Sequence, residues 1–273
     1  MPVRMNASLL RGFERYSVPL LDAINQRPPL KNRLQATIGK FSALWMTEVS
    51  SQLWRIDGVE HLERIDAPRG IILAANHRSF FDLYICSAYL VNHHPRLIER
   101  LFFPVRGEYF YTHPLGVVIN LALSGGSMWP PVFRDDRRRE LNAVGMEQIV
   151  EAMQRGSIIG LHPEGRRGDG DPYELLPAKR GLGDLIHASH PDTLVLPYFT
   201  FGLPNSFKEL VRRNYSPAGS RGDIVSLRFG APLRAADVRE GRSPIEATSH
   251  VMDHIRALGE LDREMRRVTG GKA

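Results

Sequence analysis

Five short apolar runs, separated by stretches with helical periodicity, set the tightest limit on how this chain folds. Ile71-Ile72-Leu73-Ala74-Ala75, Leu101-Phe102-Phe103-Pro104-Val105, Ile158-Ile159-Gly160-Leu161, Leu194-Val195-Leu196-Pro197 and residues 224–229 read as buried strands. Near 80–91, 140–155, 181–189 and 244–267 the pattern becomes helical. Strands without polar alternation are covered on both faces, and strands alternating with helices pair in parallel. The expected fold is α/β, a largely parallel sheet flanked by helices, with an N-terminal helical segment. In such sheets ligands gather where strands end and helices begin.

The first fifty-odd residues carry two apolar sets at helical spacing. One is Leu9, Leu10, Phe13, Leu20, Leu21 and Ile24; the other is Leu34, Ile38, Phe41, Trp45, Val49 and Leu53, after the Arg27-Pro28-Pro29 break. Arg4, Arg11, Arg15, Lys31, Arg33 and Lys40 lie among them. Two readings stand: helices packed on the body of the domain, or a basic amphipathic platform on a membrane surface. The chain is accordingly divided into N-terminal amphipathic helices over 1–54, an α/β domain over 55–267 and a flexible tail over 268–273.

Residues 109–133 contain no Asp, Glu, Lys or Arg, so a membrane span has to be weighed. A spanning helix needs about 20 mainly apolar residues. Here Pro114, Gly116, Asn120, Gly125, Gly126, Pro130 and Pro131 interrupt, and only residues 115–123 are convincingly apolar. A buried or interfacial helix followed by a loop is expected. One cysteine, Cys86, excludes an internal disulfide and fits a reducing compartment. No signal-peptide pattern is read at the start, so the expected location is cytoplasmic. The net charge of +6 favours anionic partners such as lipid headgroups, phosphorylated small molecules or nucleic acid.

His77 and Asp82 form an H-x-x-x-x-D pair, but so do His61/Asp66 and His187/Asp192. Context separates them. Only the 77/82 pair follows a buried apolar run and opens a helix, which puts His77 on a strand-to-helix turn with Asp82 in the first helical turn. A purely structural reading competes, because Ser79-Phe80-Phe81-Asp82 is also a capping box, in which Asp82 bonds the N-cap amide.

Asn76-His77-Arg78-Ser79-Phe80-Phe81-Asp82 resembles the first block, N-H-x-S-x-x-D, of the glycerophospholipid acyltransferases, the family of lysophosphatidate and glycerol-3-phosphate acyltransferases. His162-Pro163-Glu164-Gly165-Arg166-Arg167 is similar to that family's F-P-E-G-x-R block. Phe133-Arg134 is similar to the second block, and Val195-Leu196-Pro197 to the fourth. The four appear in family order across residues 58–200. Three departures stand out: His162 where the family has Phe, Arg166-Arg167-Gly168 where it has Thr-Arg-Ser, and Trp129-Pro130-Pro131 where a regular strand is expected.

The resemblance implies transfer of a fatty acyl group from an acyl thioester to a hydroxyl of a glycerol-phosphate-type lipid acceptor, lysophosphatidate-like first. Acyl-CoA or an acyl-carrier-protein thioester would be the co-substrate, with no bound cofactor and no metal. His77 is the expected general base, since an imidazole accepts a proton at neutral pH, and Asp82 would hold its tautomer. Backbone amides at the start of the following helix are expected to hold the oxyanion. Glu164 and Gly165 would orient the acceptor's hydroxyls. Arg134 and Arg167 would grip its phosphate through paired N–H donors, with Arg166, Arg137, Arg138 and Arg106 as weaker candidates. The competing reading of 134–139 is a solvated charge run. Cys86 falls among helical core residues and is not expected to carry the acyl group.

The expected partners are the thioester donor, the phosphorylated glycerolipid acceptor and a membrane surface at the inner face, contacted peripherally. Nucleic acid is not expected, because no reading module is recognisable. The alternatives are an acyltransferase for another lysolipid or a glycolipid acceptor, an acyl-thioester hydrolase with His77 activating water, and a non-enzymatic peripheral lipid-binding protein.

Overall fold

In the computed structural model, residues 5–63, 65, 69–95 and 100–269 are described. The chain begins with α1 (Glu14–Asn25), α2 (Pro28–Leu34), a π turn over Gln35–Gly39 and α3 (Lys40–Glu48). It continues through β1 (Trp54–Asp57), α4 (Glu60–Glu63), β2 (Ile71–Ala75), α5 (Asp82–His93), β3 (Leu101–Phe102), β4 (Val105–Arg106), α6 (Gly107–Phe110), α7 (Pro114–Ser124) and β5 (Pro131–Val132). The remainder is α8 (Arg139–Gln154), β6 (Ile158–Leu161), α9 (Arg180–Ala188), β7 (Leu194–Phe201), α10 (Phe207–Asn214), β8 (Val225–Phe229), β9 (Leu233–Arg234), α11 (Ala235–Arg239) and α12 (Pro244–Thr269). The last helix therefore runs through Val268 and Thr269, where a frayed tail was expected.

The main sheet has strand order β1-β8-β7-β2-β6-β3, with β9 on β7. β2 lies inside it, paired in parallel with β6 on one side and β7 on the other. β3 and β1 are also parallel to their neighbours, whereas β8 and β9 run antiparallel to β7. All five residues of β2 are buried, as its unbroken apolar run requires when helices cover both faces. Its side chains alternate between two cores. Ile72 and Ala74 join the core that contains residues of α8, α9 and α12, and Ile71, Leu73 and Ala75 join the one with residues of α3 and α5. The expected α/β architecture with N-terminal helices is the one observed.

Three local expectations are corrected. The run Leu101 to Val105 is not one strand: it breaks at Pro104, which has no N–H for a ladder, and β4 pairs instead with β5 in a separate two-stranded sheet. The Trp129-Pro130-Pro131 stretch builds β5 with a cis Trp129–Pro130 bond.

The third correction concerns the second apolar set. Val49 and Leu53 are buried, but Phe41 and Trp45 point outward, and α3 buries Ser42, Ala43 and Met46. The π turn explains this. It holds an extra residue per turn, which rotates everything after it by about 100° and breaks the 3.6-residue phase. α3 packs on α5 with Ser42, Ala43 and Met46 buried, while Phe41, Leu44 and Trp45 are exposed. Residues 114–124 form α7, partly buried as expected, with Leu115 and Val118 exposed. No helix among the described residues is long and apolar enough to cross a membrane.

Candidate active site

β2 ends at Ala75, and the chain turns sharply into α5. Asn76, buried at this turn, fastens it to β7 by a reciprocal pair: its amide donates to the Thr200 carbonyl and accepts from the Thr200 N–H, both at 2.8 Å. His77 follows with its Nδ1 3.0 Å from Oδ2 of Asp82. The same Oδ2 accepts the backbone N–H groups of Arg78 (2.7 Å) and Ser79 (2.8 Å). One oxygen thus makes both the capping contacts and the contact with the imidazole. Asp82 is 1% exposed and His77 22%, so the carboxylate is sealed while the imidazole faces the outside. Among the described residues His187 and Asp192, which straddle the end of α9, make no such contact, and Asp66 of the third pair lies outside the described residues.

β6 brings the second motif alongside. His162 stacks on His77, ring centroids 3.8 Å apart and planes 5° from parallel. Its Nδ1 lies 3.0 Å from the Ala75 carbonyl. A carbonyl only accepts, so Nδ1 carries the proton. Glu164 is buried, and its two oxygens accept the N–H groups of His77 (2.7 Å) and Leu176 (2.8 Å). It holds the backbone of His77 to the loop after β6, each oxygen accepting one backbone N–H. Gly165 closes the turn at φ +69°, a conformation that favours glycine, with its N–H on the His162 carbonyl at 3.0 Å.

Arg134 reaches this turn, donating from Nη2 to the Gly165 carbonyl at 3.3 Å. Arg167 donates from Nη1 to Asn205 Oδ1 at 3.1 Å, and that oxygen also accepts the Phe80 N–H at 3.3 Å. Both guanidinium groups belong to exposed residues. The structure therefore gathers all six expected site residues, His77, Asp82, Glu164, Gly165, Arg167 and Arg134, around one turn. The 134–139 charge run does not face water throughout. Arg138 is buried, pairs with Glu14 of α1 and lies 3.8 Å over the Phe133 ring.

The amides expected to hold the oxyanion are engaged elsewhere. Those of Arg78 and Ser79 bond Asp82, that of Phe80 bonds Asn205, and that of Phe81 bonds Ser79 Oγ at 3.2 Å. Asn205 and the His162 stack were missed by sequence reasoning. Nothing in the local pattern joins Asn205 to residues 38 and 125 positions away, and the substitution of His for Phe was the only signal at 162.

Burial pushes the His77 imidazole down to about 4, with the Arg167 charge adding to the effect. Burial pushes the Asp82 carboxyl up to about 6, opposed by the nearby His162, by the two backbone donors and by Arg167. At pH 7 the pair is thus a neutral imidazole beside a carboxylate, the state a general base requires. Cys86 is buried with its thiol pushed up to about 12, so it offers no thiolate. One ligand atom each from His77, Asp82 and His162 lies within 4.8 Å of the others. Two imidazoles stacked face to face aim their lone pairs along parallel planes, however, and one ion cannot lie in both.

A family model described as Acyltransferase matches residues 57–200, a little over half of the chain. No curated protein sequence matches significantly. Among solved structures, the chain is similar to the 1-acyl-sn-glycerophosphate acyltransferase PlsC from Thermotoga maritima. The identity is 18%, over 93% of this chain and 85% of that one, with a TM-score of 0.48.

Proposed function

This chain belongs to the acyltransferase family, and from that premise we propose that it moves a fatty acyl group from an acyl thioester, of coenzyme A or acyl carrier protein, to the hydroxyl of a phosphorylated glycerolipid. The observation that carries the reading is the His77–Asp82 contact of 3.0 Å at the exit of β2, beside the Glu164-Gly165 turn. The carboxylate fixes Nδ1–H, which leaves the Nε2 lone pair for the acceptor. As the hydroxyl oxygen bonds to the thioester carbonyl carbon, its proton passes to Nε2. When the C–S bond breaks, that proton goes to the departing thiolate. No protein nucleophile is required.

Arg167 and Arg134, exposed at the same turn, supply the cationic donors that an acceptor phosphate needs. Glu164 holds the His77 backbone through one of its oxygens. Lysophosphatidate-like acceptors come first, on the resemblance of the motifs.

A peripheral membrane contact is part of the proposal. Leu20 of α1, Phe41, Leu44 and Trp45 of α3, and Leu115 and Val118 of α7 are exposed. Trp45 also stacks on Phe207 at 5.0 Å, and Phe207 neighbours Phe81 of the catalytic turn at 6.3 Å. This apolar surface suits the inner face of a membrane that supplies a lipid acceptor.

The test is thiol release from acyl-CoA and acyl-carrier-protein donors against glycerol 3-phosphate, lysophosphatidate and other lysolipids. Turnover that requires a phosphorylated acceptor, and a KM for it raised roughly tenfold by Arg167→Ala, support the proposal. Release of free fatty acid unaffected by any acceptor indicates a thioester hydrolase. An unchanged KM in Arg167→Ala removes the phosphate role.

A further inference from the structure

We infer that His162 is a positioning residue for the base: anchored to the Ala75 carbonyl, its ring lies flat on His77 and fixes the plane in which Nε2 of His77 meets the acceptor. The inference rests on the reading of His77 as the base.

Three observations carry it. The rings are 3.8 Å apart and 5° from parallel, which is full face-to-face contact. The His162 ring is itself held at 3.0 Å on a carbonyl of the innermost part of the sheet. That anchor sets the orientation of the ring. Among the described residues the His77 ring is otherwise hydrogen-bonded only at Nδ1, to Asp82. A hydrogen bond tolerates a range of angles, so Asp82 fixes the tautomer of the ring more sharply than its tilt. The stack removes the remaining freedom. A flat ring is needed for this, and His162 differs from an aromatic hydrocarbon by adding its own anchor.

The stack also excludes water from one face of His77. Around the two rings stand Asp82 from α5, Arg78 in the catalytic turn, and Glu164 and Arg167 from the loop after β6, with Tyr198 of β7 facing Asp82. Burial is the largest cause of the lowered basicity of both imidazoles, and a charge on His77 further opposes one on His162. Stripping the second ring away lets water reach His77 and moves it back toward the ordinary imidazole range.

The experiment compares His162→Ala, His162→Leu and His162→Phe, each checked by thermal melting, with kcat, KM and the pH dependence of kcat/KM measured on the acceptor found active above. His162→Ala should lower kcat by roughly tenfold through loss of alignment, leave KM within about threefold, and move the acid limb to higher pH. His162→Leu, which fills the space without a flat face, should share the kcat loss and stands in if the Ala variant fails to fold. His162→Phe should restore most of kcat and the wild-type acid limb. Wild-type kcat and pH profile in both Ala and Leu variants would overturn the inference, as would a change confined to KM. A Phe variant as impaired as Leu would also overturn it, by assigning His162 a chemical role. His77→Ala serves as the control: if it retains turnover, the base reading fails first, whereas an inactive His77→Ala beside unaffected His162 variants sinks this inference alone.

Discussion

One carboxylate oxygen organises the turn between β2 and α5 that we propose to be catalytic. Oδ2 of Asp82 accepts from His77 Nδ1 and from two backbone amides, while Oδ1 is buried without a partner among the described residues. The cost of burying that charge appears as a carboxyl raised from 3.8 to about 6. The folded state therefore holds this proton more tightly than the unfolded chain, and this group's contribution to stability falls as pH rises from about 4 through 6. Asp82→Asn should raise Tm by a few degrees at pH 7–8, where the native residue is ionised, and this advantage should shrink toward pH 4. The same variant should lose roughly 10²–10⁴ in kcat, because an amide no longer enforces the imidazole tautomer. His77→Ala should lose a comparable factor at unchanged fold. Calorimetry and steady-state assays check both, and a destabilised Asp82→Asn protein would contradict the burial argument. In the native enzyme kcat/KM should decline below about pH 6 as the His77–Asp82 pair gains its first proton, a property of the pair rather than of either residue.

At the scale of elements, two buried cations show how the N-terminal helices are joined to the body. Arg138 pairs with Glu14 of α1 inside the core and precedes α8, which fixes the stretch that carries Arg134. Lys31 of α2 is 0% exposed, although its sequence neighbours marked it as part of a basic surface. Its Nζ donates to Ser127 Oγ at 2.7 Å and lies 4.8 Å over the Phe102 ring. Burial drives the amine from 10.5 down to about 7. The unfolded chain binds the extra proton between those values, so this group's contribution to stability rises with pH across about 7 to 10. Lys31→Met keeps the apolar stem and removes the charge. It should raise Tm by several degrees at pH 7 and flatten the pH dependence between 7 and 10, as read by thermal melts at the two ends. A variant that melts lower at pH 7 would show that the Ser127 contact outweighs desolvation.

Over the whole molecule, the exposed apolar side of α3 connects through Trp45, Phe207 and Phe81 to the turn that holds His77. A lipid acceptor has to leave a bilayer to be acylated, and an apolar surface beside the site shortens that path. Replacing Phe41, Leu44 and Trp45 together by Ser should weaken binding to anionic vesicles by about tenfold or more. Because α3 buries Ser42, Ala43 and Met46 instead, the protein should remain folded. Co-sedimentation with vesicles measures the effect, and undiminished binding would move the membrane contact elsewhere.

The sequence by itself determined the layer architecture and the location of the site. Unbroken apolar runs between helical stretches require a sheet covered on both faces, and the Asn76-to-Asp82 and His162-to-Arg167 motifs sit directly after two of those runs. Only the tertiary structure decided what lies between the motifs. Parallel pairing of β2 with β6 sets residues 85 positions apart into one stack, and Asn205 arrives from beyond β7. The phase of α3 was illegible for a local reason, the π turn, which shifts the helical count without leaving a mark in hydrophobic periodicity. The fate of each charge was illegible for a general one. Lys31, Arg138 and Arg134 carry the same formal charge, and whether such a group meets water, a carboxylate or an aromatic face depends on what the rest of the chain packs around it.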